Sequence, residues 1–186
     1  MANPDVAAPP SAFDLKVETL IIGAGACGMI AALAAHEAGQ DVLLLEADPI
    51  PTGSTALSAG LIPAAGTRLQ QDAGISDSPD GFATDIQAKA HHENDDALVT
   101  AMAHTAPQVI DWLVETHGLP FSLVRDFDYP GHSQRRMHGL PSRSGRELID
   151  ALRARIEALD IPLICNRRAT RLYAAGATLA GAGDVA

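Results

Sequence analysis

Three observations predict an α/β fold built around a buried parallel sheet. A β-branched, apolar run at residues 17–22 (VETLII) leads into a glycine-rich turn. An Ala/Leu-rich helical stretch follows. A second apolar run at residues 41–46 (DVLLLE) then ends on an acid. Strands of a parallel sheet are covered by crossover helices, so they read as continuous apolar runs rather than as alternating ones.

The first run is expected to be a central strand buried on both faces. The helix is expected over residues 29–38, closed by Gly39, because glycine adopts the left-handed conformation that ends helices at no steric cost. With the second run these elements form a βαβ unit with a right-handed crossover. Residues 20–35 carry no charge, yet sixteen residues fall short of the ~20 that a membrane span needs, and three glycines interrupt them.

The turn itself reads Gly23-Ala24-Gly25-Ala26-Cys27-Gly28, a GxGxxG pattern. In such a turn the first glycine permits the tight bend and the second lets the backbone approach a pyrophosphate. The third lets helix and strand pack closely. The phosphates then meet N–H groups at the positive end of the helix. The pattern alone is weak evidence, but here it follows a strand and opens a helix. A second strand ends at Glu46, where a carboxylate can accept hydrogen bonds from both ribose hydroxyls of an adenosine. Together these describe a Rossmann-type dinucleotide site. The same residues would otherwise be a glycine-rich turn and a surface acid with no common purpose.

NAD and FAD both fit that unit, and the residues after Glu46 favour FAD. Where a simple NAD domain continues into another crossover helix, this chain has Gly53-Ser54-Thr55-Ala56-Leu57-Ser58-Ala59-Gly60. Small residues, hydroxyls and backbone N–H groups suit a ribityl chain and a flavin edge. A flexible Gly/Ser linker is the lesser alternative that composition leaves open.

Beyond that segment, helical patterning is expected from residue 79 to residue 116, with Leu98, Met102, Ala106, Val109 and Leu113 as a buried stripe. Thr105-Ala106-Pro107-Gln108 has the form of a capping box and predicts a new helix starting there and running to Gly118. Ser144-Gly145-Arg146-Glu147 predicts another, with the stripe Leu148, Leu152, Ile156 and Leu159. Short strands are expected at residues 121–124, 161–165 and 169–173, and residues 125–143 read as loop. The last thirteen residues resemble the turn and return strand of a hairpin. Residues 1–15 read as a disordered Pro/Ala leader, and residues 16–186 as one nucleotide-binding domain.

At 186 residues the chain can bury a sizeable core; 47% of it is hydrophobic and 19% charged. A net charge of −10 argues against nucleic acid and anionic membranes as partners. Cys27 and Cys165 form no framework, which fits a reducing cytoplasm. His36, His91, His92 and Cys165 show no ligand spacing, so no metal site is expected. Arg135, Arg136, Arg143 and Arg146, with His132 and His138, form a basic cluster that could draw in a carboxylate substrate; a solvated loop explains it more simply.

The segments VETLIIGAGACGMIAALAA, LLLEADP, GSTALSAGLIPAAG, IDWL, SGRELIDAL and NRRATRLYAAG resemble the FAD-dependent group of fumarate reductases, succinate dehydrogenases and 3-ketosteroid dehydrogenases. The resemblance implies FAD contacts at Cys27, Glu46, Ser54, Thr55, Gly60, Leu61 and, through its backbone, Ala169. Two departures stand out. Thr52 replaces a glycine before the Ser-Thr pair, and Leu61 replaces the second of two glycines. Membrane-bound members tether their flavin through a His where this chain has Ala56, so non-covalent FAD is implied.

The family places its substrate-binding and protonating groups in a capping domain and C-terminal segments. This chain is expected to stop before them, leaving no readable catalytic residue and no activity on its own. The function expected is the FAD-binding part of an oxidoreductase that reduces or forms a C=C bond beside a carbonyl or carboxylate. A non-catalytic nucleotide-binding module and an NAD-binding dehydrogenase domain remain as alternatives.

Overall fold

The computed structural model describes residues 5–7 and 9–173; the hairpin expected at the C-terminus lies outside them. In chain order the elements are β1 (Asp5–Ala7), β2 (Thr19–Ile22), α1 (Ala26–Glu37), β3 (Val42–Leu45), α2 (Gly53–Ala56), β4 (Ile62–Pro63) and α3 (Arg68–Asp72). They continue with α4 (Pro79–Lys89), α5 (Asp96–Glu115), β5 (Ser122–Leu123), β6 (Met137–Gly139), α6 (Gly145–Ala158), β7 (Leu163–Ile164) and β8 (Arg171–Tyr173). They fall into two compact units: residues 1–51 with 156–186, and residues 52–155.

The first unit contains the βαβ motif. β2 and β3 pair in parallel with Ile22 opposite Leu45, and β3 pairs in parallel with β7. The strand order β2-β3-β7 makes β3 the central strand. Its Val42, Leu43 and Leu44 are buried, whereas Leu20 and Ile22 on β2 are half exposed, at 50% and 53%. The expectation of a central, doubly covered first strand is therefore corrected. Both runs are equally apolar, so composition could not tell which one has neighbours on both sides. α1 buries Met29, Ala32 and Leu33 and ends as expected, with Gly39 at φ +78°. Within the segment read as a leader, Asp5–Ala7 pairs in parallel with Arg171–Tyr173.

In the second unit β4, β6 and β5 form a small antiparallel sheet of order β4-β6-β5, and α4 packs against α5. β6 lies in the segment read as loop; three residues, Met-His-Gly, are too few to give a recognisable period. Here α5 corrects two expectations. It runs unbroken from Asp96 to Glu115, with Pro107 inside it, and is capped by Asp95, whose carboxylate accepts the Leu98 N–H at 2.9 Å. No helix begins at Thr105. Its buried face is Val99, Ala103, Pro107, Ile110 and Leu113, while Leu98 is 72% exposed. Two stripes of helical spacing run side by side through this segment, and spacing alone chose the neighbouring one.

The α6 expectations fare better. Ser144 Oγ accepts the Glu147 N–H at 3.2 Å, while the Glu147 carboxylate turns to the Ser142 N–H rather than closing the box. Leu148, Leu152 and Ile156 are buried as expected, joined by Ile149.

Candidate functional site

Each unit holds part of the expected site. In the first, the turn after β2 has the geometry that its glycines predicted. Gly23 has φ +100°, where an L side chain is strained. A Cβ on Gly28 would sit 1.9 Å from the Gly23 carbonyl oxygen and 3.3 Å from Ile21, so only glycine lets α1 approach β2 this closely. Gly25 differs. It is the N-cap of α1 at φ −71° and ψ 178°, a conformation open to any residue, and it supplies no side-chain cap. Nothing in its backbone geometry asks for glycine. A bare N-cap at the positive end of a helix is what an approaching anion needs.

Glu46 follows β3 and faces that turn. Its carboxylate accepts the Ala24 N–H at 2.8 Å and the Asp48 N–H at 3.0 Å. Burial raises its pKa, but the N–H groups of Asp48, Ala24 and Ala47 and the charge of Arg168 outweigh burial and hold it below its ordinary value. The acid is thus ionised and fixed at the foot of the glycine turn. A carboxylate has about four lone-pair sites, so two remain for hydroxyl donors.

The chain leaving β7 continues alongside: the Asn166 N–H reaches the Asp48 carbonyl at 3.1 Å and the Arg167 N–H the Glu46 carbonyl at 2.8 Å. Arg168 follows, and its charge acts on Glu46, while Ala169 is exposed. The sequence reading named Ala169 but missed Arg168; only parallel pairing of β3 with β7 places it there. Cys27, in the first turn of α1, is an exposed free thiol. A tight glycine turn, a helix start with no side-chain cap and an ionised acid bonded to that turn are features suited to a dinucleotide.

The second unit holds Ser54 and Thr55 on the single turn of α2, followed by a compact loop. Ser58 Oγ donates to the Thr55 carbonyl at 2.7 Å and accepts the Gly60 N–H at 3.0 Å. Gly60 has φ +61°, and a Cβ there would lie 2.6 Å from the Ser144 backbone; a Cβ on Gly145 would lie 1.6 Å from the Thr55 carbonyl oxygen. The Gly145 N–H also bonds the Ser58 carbonyl at 2.9 Å. The Ser-Thr segment is therefore an ordered turn seated on the start of α6, not a flexible linker. Gly145, read only as part of a capping box, is the residue that lets it seat. Leu61, beside Gly60, is half-buried and lines a cavity of the same unit.

The basic cluster resolves into pairs. Arg135 meets Asp128 at 2.9 Å and Arg143 meets Asp126 at 2.7 Å, both exposed. Arg136 is fully buried, holds Asp77 through two hydrogen bonds at 2.7 and 2.9 Å, also pairs with Asp85, and lies 5.0 Å from the Phe82 ring centre. These three arginines are committed to acids of the same unit; Arg135 and Arg143 are solvated as the loop reading expects, whereas Arg136 is buried, which corrects that reading. His138 is fully buried against Thr67 at 2.9 Å, and burial holds its pKa down.

Among the described residues no three His, Cys, Asp or Glu side chains come together to hold a metal. No helix among them is long and apolar enough to cross a membrane.

The family described as FAD binding domain matches residues 18–184. A probable fumarate reductase of Shewanella frigidimarina is 33% identical over 90% of this chain and 28% of its own length. A urocanate reductase of Eggerthella lenta is 32% identical over 88% of this chain and 27% of its own. Among solved structures, the open conformation of a flavocytochrome c3 fumarate reductase superposes with a TM-score of 0.71 at 32% identity, over 81% of this chain and 26% of that one. The 3-ketosteroid-Δ4-(5α)-dehydrogenase of Rhodococcus jostii, in complex with 4-androstene-3,17-dione, gives 0.72 at 25% identity, over 90% and 41%. The chain thus spans between about a quarter and two fifths of the length of these relatives.

Proposed function

We propose a function on the premise that this chain belongs to the FAD binding domain family, as the match over residues 18–184 shows. It is the FAD-binding part of an oxidoreductase acting on a carbon–carbon double bond beside a carboxylate or carbonyl. The observation that carries the cofactor reading is the ionised Glu46 bonded to Ala24, beneath the uncapped start of α1. Fumarate and urocanate reductases among its relatives support the substrate class.

The ADP half is assigned to Gly23, Gly25, Cys27, Gly28, Glu46 and Ala169. Gly25 leaves room for the pyrophosphate, α1 directs its N–H groups and dipole at that charge, and Glu46 accepts from the ribose hydroxyls. The ribityl chain and flavin edge are assigned to Ser54, Thr55, Gly60 and Leu61. Held by these residues, a flavin would supply hydride chemistry at one carbon of the double bond, with the matching proton exchanged at the other.

Further groups, outside this chain's assigned residues, bind and protonate the small-molecule substrate. The 186 residues alone therefore hold cofactor without turning over fumarate or a ketosteroid above the rate of free FAD. We further propose residence in the cytoplasm, with neither nucleic acid nor membrane as partner.

Gel filtration after incubation with FAD tests the reading. A flavin spectrum should travel with the protein, and denaturation with acid should release all of it, since Ala56 offers no imidazole for a tether. Protein that elutes colourless, or washed precipitate that stays yellow, contradicts the corresponding half of the proposal.

A further inference from the structure

Gly139 is the buried last residue of β6, and its φ lies outside the left-handed region, so its backbone conformation is open to any residue. Glycine inside a strand loosens it and often marks a close approach. Here the approach is made by Leu61. β4 pairs antiparallel with β6 through Ile62 opposite His138 and Pro63 opposite Met137. The next step of that register sets Leu61 across from Gly139. A Cβ on Gly139 would lie 2.7 Å from Leu61 Cδ2, closer than packed carbons come. The Leu61 side chain therefore occupies the room that a side chain at position 139 would need.

The contact differs in kind from those at Gly60 and Gly145, where the obstructing atoms are backbone. At Gly139 the obstruction is the tip of a flexible side chain. The Leu61 backbone is held on both sides. Gly60 lies against Ser144, and its N–H is held by Ser58 Oγ at 3.0 Å, while Ile62 is fixed in the β4 ladder. Sideways room is closed by Arg143 Cγ, 3.6 Å from the same Cβ position, and by Cγ2 of buried Val124 at 3.8 Å. A displaced Leu61 side chain is left with its open side, the cleft that it lines with Ala59 and Gly60.

We propose that Gly139 is a positioning residue for the cofactor: by carrying no side chain it holds Leu61 back against β6 and keeps the space beside Gly60 free for the flavin edge. This deepens the cofactor assignment above and rests on it. Leu61 stands where the resemblance to flavoenzymes leads one to expect a second glycine. Gly139, on the neighbouring strand, supplies the room which that glycine would have left.

The test is a double-variant cycle on the 186-residue chain: Gly139→Ala, Leu61→Gly and both together. Three quantities are read, namely FAD affinity by flavin fluorescence, ADP affinity by calorimetry, and the urea midpoint. Gly139→Ala should keep the urea midpoint of the parent chain, because the Leu61 tip can swing aside, and should weaken FAD about tenfold. ADP, assigned to the glycine turn and Glu46, should bind Gly139→Ala as it binds the parent. In the Leu61→Gly background the same alanine should cost no FAD affinity, since no side chain remains to be displaced. Unchanged FAD affinity in Gly139→Ala, or an equal loss with and without Leu61, would overturn the proposal and leave the cofactor reading standing. A lowered urea midpoint with FAD and ADP weakened together would overturn it as well, by showing that Gly139 serves the fold. A parent chain that binds neither FAD nor ADP removes the cofactor reading, and this inference with it.

Discussion

The carboxylate of Glu46 accepts the backbone N–H of Ala24 at 2.8 Å, tying the acid at the end of β3 to the glycine turn at the end of β2. One side chain thus fixes the turn and presents its remaining lone pairs beside it. Glu46→Gln keeps the shape but loses the charge, and should weaken FAD binding by roughly 1–3 kcal/mol, the range for hydrogen bonds to a charged group. Glu46→Ala should cost at least as much. The pH dependence follows from its lowered pKa. The contribution of Glu46 is complete above the ordinary carboxylate value of 4.5 and is lost as pH falls through the lower folded value. FAD titrations of both variants, and of the parent chain from neutral to acid pH, provide the check; an affinity untouched by either substitution would mean that Glu46 serves the fold alone.

Gly25 and Gly28 should fail in opposite ways. Valine at position 25 suits the extended backbone there, so Gly25→Val should keep the far-ultraviolet circular dichroism of the parent chain while losing FAD. Alanine at position 28 puts a Cβ 1.9 Å from the Gly23 carbonyl, which should force α1 off β2 and destabilise the fold by about 1–3 kcal/mol or more. Urea unfolding separates the two. Equal stability losses would show that Gly25 too is a packing glycine.

How much of this was legible beforehand depends on how local the signal was. The βαβ unit was readable because turn chemistry, apolar runs and the terminal acid all occur within residues 17–46 and agree with one another. The α5 stripe was misread because residues 98–113 carry two adjacent helical faces of similar apolarity, and the choice between them is made by Phe82 and Ala65, which pack on Ala103. Long-range placement was invisible. Nothing near Arg168 announces Glu46, and nothing near Gly145 announces Thr55. The partners of Arg136, fifty-one and fifty-nine residues away, could not be told from a solvated basic loop.

That buried arginine is a structural keystone of the second unit. Arg136→Met would strand Asp77, itself only 3% exposed, without its cation, and should cost about 3–5 kcal/mol, as breaking one side of a buried pair does. Arg136→Met combined with Asp77→Asn should be less damaging than the single change, because no uncompensated charge remains. Arg135→Ala, which loses only an exposed pair, should leave the unfolding midpoint unchanged. Burial raises the Asp85 pKa, but bonds from Arg136 and Ser133 outweigh it and leave a net lowering. Its stabilising share is therefore present above the ordinary 3.8 and lost on acidification below it. Urea midpoints for the four chains, at neutral pH and again in acid, decide the point; a double variant as unstable as the single one would show that packing, not charge, governs this cluster.

The last question is whether Gly60 is a glycine for the flavin or for the fold. The resemblance to known flavoenzymes implies a ligand contact there, yet the chain's own geometry already requires glycine. Gly60 has φ +61°, and a Cβ would come within 2.6 Å of the Ser144 backbone; the reciprocal contact, from Gly145 to the Thr55 carbonyl, is tighter at 1.6 Å. The obstructing atoms are backbone on both sides, so neither can swing away as a side chain would. Gly60→Ala should therefore destabilise the chain without any FAD present, by about 1 kcal/mol for the left-handed backbone and about 1–3 kcal/mol for the overpacking. Gly145→Ala should do so by overpacking alone, and because it lifts the turn carrying Ser54 and Thr55 it should also weaken FAD, although position 145 is assigned no part of the cofactor. Thermal unfolding of the two apo variants, set beside their FAD affinities, distinguishes the cases. If Gly60→Ala melts with the parent chain and loses only FAD, the glycine is kept for the ligand, and the seating of the Ser-Thr turn on α6 is not what holds the flavin end of the site.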